Sequence, residues 1–403
     1  MIPADEVLEA LDLSRAEPGS GFLEALFVRF NDRVAFENAS KIVRDADVAD
    51  EAAKPRSPDI FWTDHLERGA GGTCFARVAA FDALLKALGF RTRRVLGQVR
   101  NSMDHAALFV ETPAGEKIAD VGFPLPALFP AAPGFVETAL AGLRIEADAA
   151  GFRVFFEGGV PEGPRAIHIN AADVPDETFQ ELWRRTFRRG APFLQEVSLR
   201  RDLGNRVLAF ARGEVRVDDR HSRLRVPLAS PRAASLAPLF GIDEELLARA
   251  FAIVGDPNPA SADAILTSYL ETEASVADAY AAIASPEGYA RLLQGVAEVG
   301  DLAPTASGFR LSLSPGAGAA PEARLEDEVS LEPESGRLVI LRRSGPMSQR
   351  SFYRAQVREG RTWLMREIVL SGAREDLLRN DSLRGRLAAT AAVDLLAWGR
   401  MLP

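Results

Sequence analysis

Cysteine is almost missing from this chain of 403 residues, which contains only Cys74. No disulfide can therefore form within the chain, and a cysteine-rich zinc site is excluded. Long apolar runs are missing too, since no stretch approaches the roughly 18 apolar residues of a membrane-spanning helix. Asp5, Glu6 and Glu9 argue against a signal peptide, so we expect a cytoplasmic protein with no membrane partner.

Positive charge is in the minority, and lysine is scarce. The formal net charge is -9, and only four of the 48 basic residues are lysines: Lys41, Lys54, Lys86 and Lys117. A chain this acidic is not expected to bind nucleic acid. We see no metal-ligand spacing and no phosphate-binding glycine loop, so we expect no bound metal or cofactor. The content of 47% hydrophobic and 26% charged residues is typical of globular proteins, and the length predicts several domains.

Hydrophobic spacing predicts helices in the first 90 residues and strands after them. A helix is predicted after the glycines at 69, 71 and 72, beginning near Cys74 and stopping at Gly89. Strands are predicted over 93–99, 106–112 and 117–123, with more strand and turn pattern to about residue 227. Within that pattern we expect strands over 151–156, 165–169, 194–200 and 206–217, and a helix over 236–251.

The glycine, two prolines and small polar residues of 255–261 predict a linker. Beyond it the pattern predicts a strand over 264–272, helices over 276–285 and 286–299, several strands, and a final helix from about 374 to 401. Residues 316–323 are expected to form a loop of small residues. The final helix is expected to turn Leu383, Leu387, Ala391, Val393, Leu395, Leu396 and Trp398 toward the sheet or a cavity.

Cys74 stands in a glycine-rich turn where a helix is predicted to begin, in the sequence Arg-Gly-Ala-Gly-Gly-Thr-Cys-Phe over 68–75. The glycines permit a tight turn, and a helix N-terminus points free N–H groups and partial positive charge at the thiol. Both features favour the thiolate, the nucleophilic form, and the same N–H groups could hold an oxyanion. A solitary cysteine is also compatible with a small apolar core residue.

A catalytic cysteine needs a base and a group that orients this base. His105 opens a predicted strand, and Asp120 lies near the end of the next one. If residues 114 and 115 form a two-residue turn, Asp120 lies opposite Phe109. Side chains alternate along a strand, so Asp120 then shares the face of His105. Whether they touch depends on the turn, and each could instead be structural. The remaining histidines, which are His65, His168 and His221, are expected to be structural or exposed.

Together these residues resemble the arylamine N-acetyltransferases. The family signature is an Arg-Gly-x-Gly-Gly-x-Cys-Phe turn, a later His and an Asp-Val-Gly-Phe segment, which correspond here to 68–75, His105 and 120–123. The Val-Ala-Phe-Glu-Asn sequence of 34–38 is similar to the Pro-Phe-Glu-Asn element of the family. Residues 191–195 and 236–251 are similar to its barrel-to-lid segment and its late helix. The ordered agreement covers residues 1 to about 255.

The resemblance implies an α+β multidomain fold, with a helical bundle over 1–90, a β-barrel over 91–190 and an α/β lid over 191–255. It also implies a papain-like Cys-His-Asp triad, in which Cys74 is the nucleophile, His105 the base and Asp120 its orienting group. Phe36 and Phe123 match family positions that line the acceptor pocket, and we place Gly122 with them as a substrate-binding residue. The two aromatic residues could equally be core residues.

Residues 262–403 resemble the START-like helix-grip domains, the class that includes polyketide cyclase-like proteins. The resemblance lies in the element order: a strand, two short helices, a run of strands and a long C-terminal helix. A curved sheet around a long helix leaves an apolar cavity, a common geometry for ligand sites. This domain is therefore expected to bind a hydrophobic ligand, to hold the lid in place or to mediate dimerisation.

The function implied is an acyltransferase that moves an acyl group from a thioester, either acyl-CoA or a carrier-protein thioester, through a Cys74 acyl-enzyme to an amine. Several residues depart from the family pattern near the cleft: Ala35, Ala76, Arg77, Val78 and Pro124. These departures and the helix-grip domain favour a larger apolar substrate and an amide synthase-like role in secondary metabolism. Two alternatives remain: a cysteine hydrolase or thioesterase, and a hydrophobic-ligand-binding protein with a vestigial triad.

Overall fold

The computed structural model describes residues 2–99, 105–123, 125–159, 166–293, 297–305, 308–315, 325–332, 337–344, 347–358, 360–372 and 374–402. The chain divides into two compact units. The first unit comprises residues 1–220 and 228–260, and the second comprises 221–227 and 261–403. Helices and strands occur in both units, which confirms the mixed α/β class. None of the helices in the described ranges is long and apolar enough to cross a membrane.

The first unit begins with helices: α1 (Ala4–Ala10), α2 (Ser20–Arg33), α3 (Ala39–Asp47), α4 (Pro58–Arg68) and α5 (Cys74–Ala87), with a 3-10 turn at Glu51–Ala53. α5 is buried on nearly all sides, because α4 packs on it from one side and the following sheet from the other. Its apolar residues belong to a core that also contains Phe27, Phe30 and Trp62. The unit therefore holds Cys74 at the beginning of its most enclosed helix.

An antiparallel sheet of eight strands follows, in the order β5-β4-β3-β2-β9-β8-β7-β6. Its strands are β2 (Thr92–Gln98), β3 (His105–Thr112), β4 (Gly115–Ala119), β5 (Phe129–Pro130), β6 (Gly134–Glu137), β7 (Gly142–Ala147), β8 (Gly151–Glu157) and β9 (Ala166–Asn170). One face of β3 contributes to the helical core, and the other face, which includes Ala107 and Phe109, contributes to a second apolar core.

The hairpin between β3 and β4 differs from the prediction. Thr112 pairs with Gly115, so the two-residue turn is formed by 113–114, one residue earlier than expected. Leu108 pairs with Ala119, and the strand predicted over 117–123 ends there. Extending this register would set Asp120 opposite Ala107 rather than Phe109. The face is the expected one, and the shift moves Asp120 two residues closer to His105.

A further four strands of the first unit pair in the order β1-β10-β11-β12. They are β1 (Phe36–Glu37), β10 (Leu199–Asp202), β11 (Val207–Ala211) and β12 (Glu214–Asp218), and the helices of this part are α6 (Asp176–Arg185), α7 (Ala233–Phe240) and α8 (Glu244–Val254). The strands predicted over 194–200 and 206–217 were wrong in extent, since the first begins at Leu199 and the second turns back at 212–213. The single helix predicted over 236–251 is interrupted at Gly241, whose φ of 68° ends α7.

The second unit contains an antiparallel sheet in the order β13-β14-β20-β19-β18-β17-β16-β15. The strands are β13 (Ser222–Pro227), β14 (Ala264–Thr272), β15 (Ala297–Pro304), β16 (Gly308–Pro315), β17 (Leu325–Glu332), β18 (Arg337–Ser344), β19 (Met347–Arg358) and β20 (Arg361–Leu370). The helices are α9 (Val276–Ile283), α10 (Pro286–Leu292), α11 (Asp376–Arg379) and α12 (Asp381–Arg400). α12 packs on β14 and β20.

Three predictions for this unit needed correction. The helix predicted over 286–299 ends at Leu292, and β15 begins at Ala297. The final helix is broken at Asn380, whose side chain accepts a hydrogen bond from the Leu383 N–H and so caps α12. Val393 and Leu396, expected to face the sheet or a cavity, are 49% and 51% exposed. The loop predicted over 316–323 lies in residues 316–324, outside the described ranges.

Candidate active site

Cys74 is the first residue of α5 and is 9% exposed. The turn before it is fixed by backbone contacts with the 35–37 segment: the Gly72 N–H donates to the Ala35 carbonyl at 3.4 Å, and the Glu37 N–H donates to the Gly72 carbonyl at 3.2 Å. A Cβ on Gly71 would lie 1.8 Å from the Ala35 carbonyl oxygen, so the close approach requires glycine. The glycine-rich sequence thus joins the turn before Cys74 to β1.

His105 and Asp120 are brought together by the β3–β4 hairpin. The His105 Nε2 lies 2.7 Å from the Asp120 Oδ2, and the two side chains are only 2% and 0% exposed. The second carboxylate oxygen, Oδ1, accepts a hydrogen bond of 2.8 Å from the Phe123 N–H. Both oxygens of Asp120 therefore have a partner, and the carboxylate is held in one orientation.

The electrostatics of His105 reflect this arrangement. Burial lowers the pKa of the imidazole, but the charge and hydrogen bond of Asp120, together with a hydrogen bond and charge interaction with Cys74, outweigh burial and raise the pKa to about 10. Because Nε2 is engaged by Asp120, the other ring nitrogen is left to face Cys74. The imidazolium form of His105 is therefore favoured at neutral pH.

Gly122 allows this close packing. A Cβ at this position would lie 2.4 Å from the Ala106 carbonyl oxygen, 2.9 Å from the His105 Cε1 and 3.1 Å from the Cys74 Cβ. No side chain fits between these groups without moving the backbone. The role of Gly122 in substrate binding stays a prediction. Independently of that role, the short distances to His105 and Cys74 require a glycine at this position.

The two predicted aromatic positions lie at the edges of the site. The Phe123 ring packs edge-on to the His105 ring with centroids 6.4 Å apart, and the Arg200 guanidinium lies 5.6 Å from the Phe123 centroid. Phe36 forms a parallel bridge with Gly72 and packs against Phe193, with centroids 5.4 Å apart. Both rings are half-buried. Their role toward a substrate stays a prediction.

The remaining histidines either have other partners or are exposed. The buried His65 ring contacts the Ala70 carbonyl at 3.2 Å, and burial lowers its pKa to about 4. His168 pairs with Asp148 at 3.1 Å, and His221 is exposed. Arg68, the first residue of the 68–75 motif, forms an ion pair with Asp243 at 3.1 Å. Within the described ranges no cluster of His, Cys, Asp or Glu could hold a metal ion.

Arg77, one turn after Cys74, is a residue whose role sequence reasoning missed. Its fully buried guanidinium donates to the Val121 carbonyl at 2.7 Å, to the Asn31 Oδ1 at 2.8 Å and to the Val34 carbonyl. It thereby joins the nucleophile helix to the segment after Asp120. Burial lowers its pKa to about 9, partly opposed by the negative charge of Asp120. The signal in the sequence was an arginine within the first two turns of α5, which are otherwise apolar over residues 74–81.

Lys41 was missed as well. It lies on α3, is 6% exposed, and its charge interacts with Cys74. The scarcity of lysine in the sequence gives no indication of where the few lysines lie in the fold.

The family comparison agrees with the motifs quoted above. Residues 21–138 match the sequence profile of the N-acetyltransferase family. No curated protein matches the sequence. The predicted resemblance to arylamine N-acetyltransferases is thus confirmed over these residues, and with it the prediction of an enzyme of the N-acetyltransferase type.

Solved structures show the same fold. A variant of the Mycobacterium smegmatis N-arylamine acetyltransferase aligns with 19% identity and a TM-score of 0.55, covering 63% of this chain and all (100%) of its own. The Mycobacterium marinum enzyme in complex with CoA aligns with 18% identity and a TM-score of 0.52, covering 62% of this chain and 98% of its own. The Bacillus cereus NAT3 enzyme, which has a Cys-His-Glu triad, aligns with 16% identity and a TM-score of 0.52, covering 60% of this chain and 100% of its own. Residues 21–138 therefore carry the sequence pattern of the N-acetyltransferase family, and the chain shares the fold of arylamine N-acetyltransferases over about three fifths of its length.

Proposed function

We propose that this protein transfers an acyl group from a thioester to an arylamine through an acyl-enzyme on Cys74. The observation that carries the proposal is the buried series of contacts from Asp120 through His105 to Cys74, at the beginning of a helix. Each residue type suits its part: a thiol as nucleophile, an imidazole that moves a proton, and a carboxylate that fixes the imidazole.

The reaction follows from these contacts. The Cys74 thiolate attacks the thioester carbonyl carbon, and the oxyanion that forms lies near the free N–H groups of the first turn of α5. The bond from carbon to the donor sulfur breaks, His105 supplies the proton, and the donor leaves as a thiol. An amine then attacks the Cys74 thioester and gives its proton to His105. Breaking the bond to Sγ releases the amide and restores the thiolate–imidazolium pair.

Acyl-CoA is the donor we propose, because the Mycobacterium marinum structure of the same fold holds CoA. A carrier-protein thioester would undergo the same chemistry with a different leaving thiol. An amide synthase-like role differs only in a larger acyl group or amine, for which the small side chain of Ala76, two residues after Cys74, is the support.

Intact-protein mass spectrometry tests the proposal directly. On incubation with acetyl-CoA or a longer acyl-CoA, we expect one acyl mass on wild type and none on Cys74→Ala, which should fold normally. Adding aniline should remove this mass and yield the acetanilide or its homologue. An adduct lost equally fast without amine would indicate a hydrolase instead. A wild-type protein that no acyl-CoA and no carrier-protein thioester modifies would contradict the proposal.

For the second unit we propose a helix-grip domain that holds a hydrophobic ligand. The support is its antiparallel sheet with the long α12 lying on β14 and β20. α12 is anchored near its end, since the Trp398 Nε1 donates to the Ala279 carbonyl at 2.8 Å. Native mass spectrometry and solvent extraction of the purified protein should show one bound apolar molecule. Absence of a ligand, together with no binding of an apolar fluorescent dye, would contradict this role.

A further inference from the structure

Lys41 is a buried ammonium group with few partners. Its side chain is 6% exposed. Its Nζ contacts the Pro192 carbonyl at 3.4 Å, at the outer limit of a hydrogen bond, and lies 5.0 Å from the centroid of the Phe187 ring. Within the described ranges no carboxylate forms an ion pair with it. The nearest acidic residue on the same helix, Asp45, is paired with Lys54 at 2.7 Å.

A buried cation with only weak partners is costly, because desolvation removes its hydration and a long hydrogen bond and a ring face replace only part of the lost interactions. At such a position a methionine or leucine side chain would pack about as well as lysine without burying a charge. An ammonium group held there is therefore explained best by an anion that binds beside it during function. A carbonyl at 3.4 Å and the face of an aromatic ring are weaker partners than a carboxylate.

Lys41 lies on a segment that is connected to the turn before Cys74. The segment just before α3 is hydrogen-bonded to the nucleophile turn, through Glu37 and Gly72. Burial lowers the pKa of Lys41, and the charges of Cys74 and Asp45 raise it, with a net value of about 8. The amine is therefore mainly protonated at neutral pH, and it lies close enough to Cys74 for the two charges to interact.

The surroundings of Lys41 are aromatic. Phe36 and Phe193 stack edge to face close to the start of α3, and Phe193 is 39% exposed with a φ of 65°, a conformation uncommon outside glycine. Asn38 fixes the same segment by donating to the Phe193 carbonyl at 3.1 Å and the Glu196 carbonyl at 2.7 Å. A cation that lies over the Phe187 ring, in a segment that also carries Phe36 and Phe193, suits a molecule with an apolar body and a single negative charge.

We propose that Lys41 determines specificity by binding a carboxylate carried by the substrate that reaches Cys74. This inference rests on the proposed function, because it takes that substrate to be an acyl thioester or an amine. The carboxylate could belong to the acyl group, as in a dicarboxylic acyl thioester, or to the acceptor, as in an aminobenzoate.

Alkylation of the single cysteine tests the charge preference without any acyl transfer. Iodoacetate and iodoacetamide both lose iodide as the Cys74 sulfur bonds to their methylene carbon, and they differ in one negative charge. The ratio of the iodoacetate rate to the iodoacetamide rate should fall about tenfold or more in Lys41→Met, whereas Lys41→Arg should keep most of it. Lys86→Met, which removes an exposed lysine paired with Asp82, should keep the wild-type ratio.

Two substrate pairs then identify which substrate carries the charge. Donor preference is measured as kcat/KM for succinyl-CoA over butyryl-CoA, and acceptor preference as kcat/KM for 4-aminobenzoate over aniline. One of these ratios should fall about tenfold in Lys41→Met. An alkylation ratio within about twofold of wild type overturns the proposal, as does an unchanged ratio for both pairs in a protein that transfers acyl groups. Failure of acyl transfer itself refutes the proposed function, whereas the alkylation ratio still decides the role of Lys41.

Discussion

Replacing Asp120 by asparagine should greatly lower the rate of acyl transfer while leaving the fold intact. Each oxygen of the carboxylate has a partner. Oδ2 lies 2.7 Å from the His105 Nε2, and Oδ1 accepts a hydrogen bond of 2.8 Å from the Phe123 N–H. An asparagine has one oxygen to offer. If that oxygen stays with the Phe123 N–H, the amide NH₂ faces His105, and Nε2 must then be unprotonated. The remaining proton sits on the nitrogen facing Cys74, which can no longer act as the base.

The magnitude follows from the His105 pKa. Its rise from 6.5 to about 10 corresponds to about 5 kcal/mol in favour of the imidazolium, at about 1.4 kcal/mol per pKa unit. The Asp120→Asn substitution would remove the charge of the carboxylate but not the burial, so the pKa of His105 should fall well below its value in wild type. Loss of an orienting carboxylate costs about 10⁴ in rate in the serine-protease triad, and a thiol needs less help than a hydroxyl, so we expect a loss of about 10²- to 10⁴-fold.

The pH profile of Cys74 alkylation is the assay. With iodoacetamide, the wild-type rate should vary little between about pH 6 and about pH 9, because His105 stays protonated over this range. In Asp120→Asn the rate at about pH 6 should fall and then rise steeply with pH. The kcat/KM for acyl transfer, measured in parallel, should fall at every pH.

Stability provides an independent readout. A group whose pKa is higher in the folded protein stabilises the fold fully below its unfolded value, here about 6.5, and this contribution is lost as pH rises through about 10. The free energy of unfolding in urea should therefore decrease between these values in wild type, and the decrease should be smaller in Asp120→Asn. An unchanged alkylation profile together with unchanged turnover would show that Asp120 does not orient His105.

Two further substitutions test the packing around the site. Arg77→Met leaves three buried acceptors without a donor, so it should cost about 2–4 kcal/mol in unfolding free energy, measured with urea, and slow Cys74 alkylation. Arg232→Met, which removes another buried arginine (2% exposed), is the control and should also lower the free energy of unfolding. If Arg232→Met slowed Cys74 alkylation as much as Arg77→Met does, a positioning role for Arg77 would be contradicted. Gly122→Ala should lower kcat/KM by about 10²-fold, because its Cβ would displace His105 or Cys74. Gly134→Ala, at a position with nothing within 4 Å, is the control, and equal effects of the two alanines would disprove the steric argument.

Much of the candidate site could be predicted from the sequence because its motifs are local. The glycines before Cys74 mark a turn and a helix start, and the 3.6-residue period continues to the stop at Gly89. The alternation of β3 and β4 put His105 and Asp120 on one face even though the turn was placed one residue too late. A shift of one turn residue changes the cross-strand partner by two positions, which preserves the face.

The positions of the buried cations could not be predicted in the same way. Whether Lys41 or Arg77 is exposed depends on segments more than 40 residues away in sequence, such as the Pro192 and Val121 carbonyls. Helix ends in the second unit were also missed. Neither the stop of α10 at Leu292 nor the break at Asn380 coincides with a glycine or proline, and tertiary packing overrides propensity in such places.

The assignment of residues 221–227 to the second unit has a consequence for how the two units can be separated. β13 pairs with β14 over Ser222–Arg225 and Ile265–Ser268, although residues 228–260 return to the first unit. The chain thus crosses between units three times, after residues 220, 227 and 260. A gene fragment cut at the linker would encode residues 261–403 without β13, the strand that pairs with β14. Such a fragment would present the backbone N–H and C=O groups of β14 as an open edge, which is prone to pair with another chain. A soluble, monomeric second unit should therefore need β13 grafted ahead of β14 through a hairpin turn.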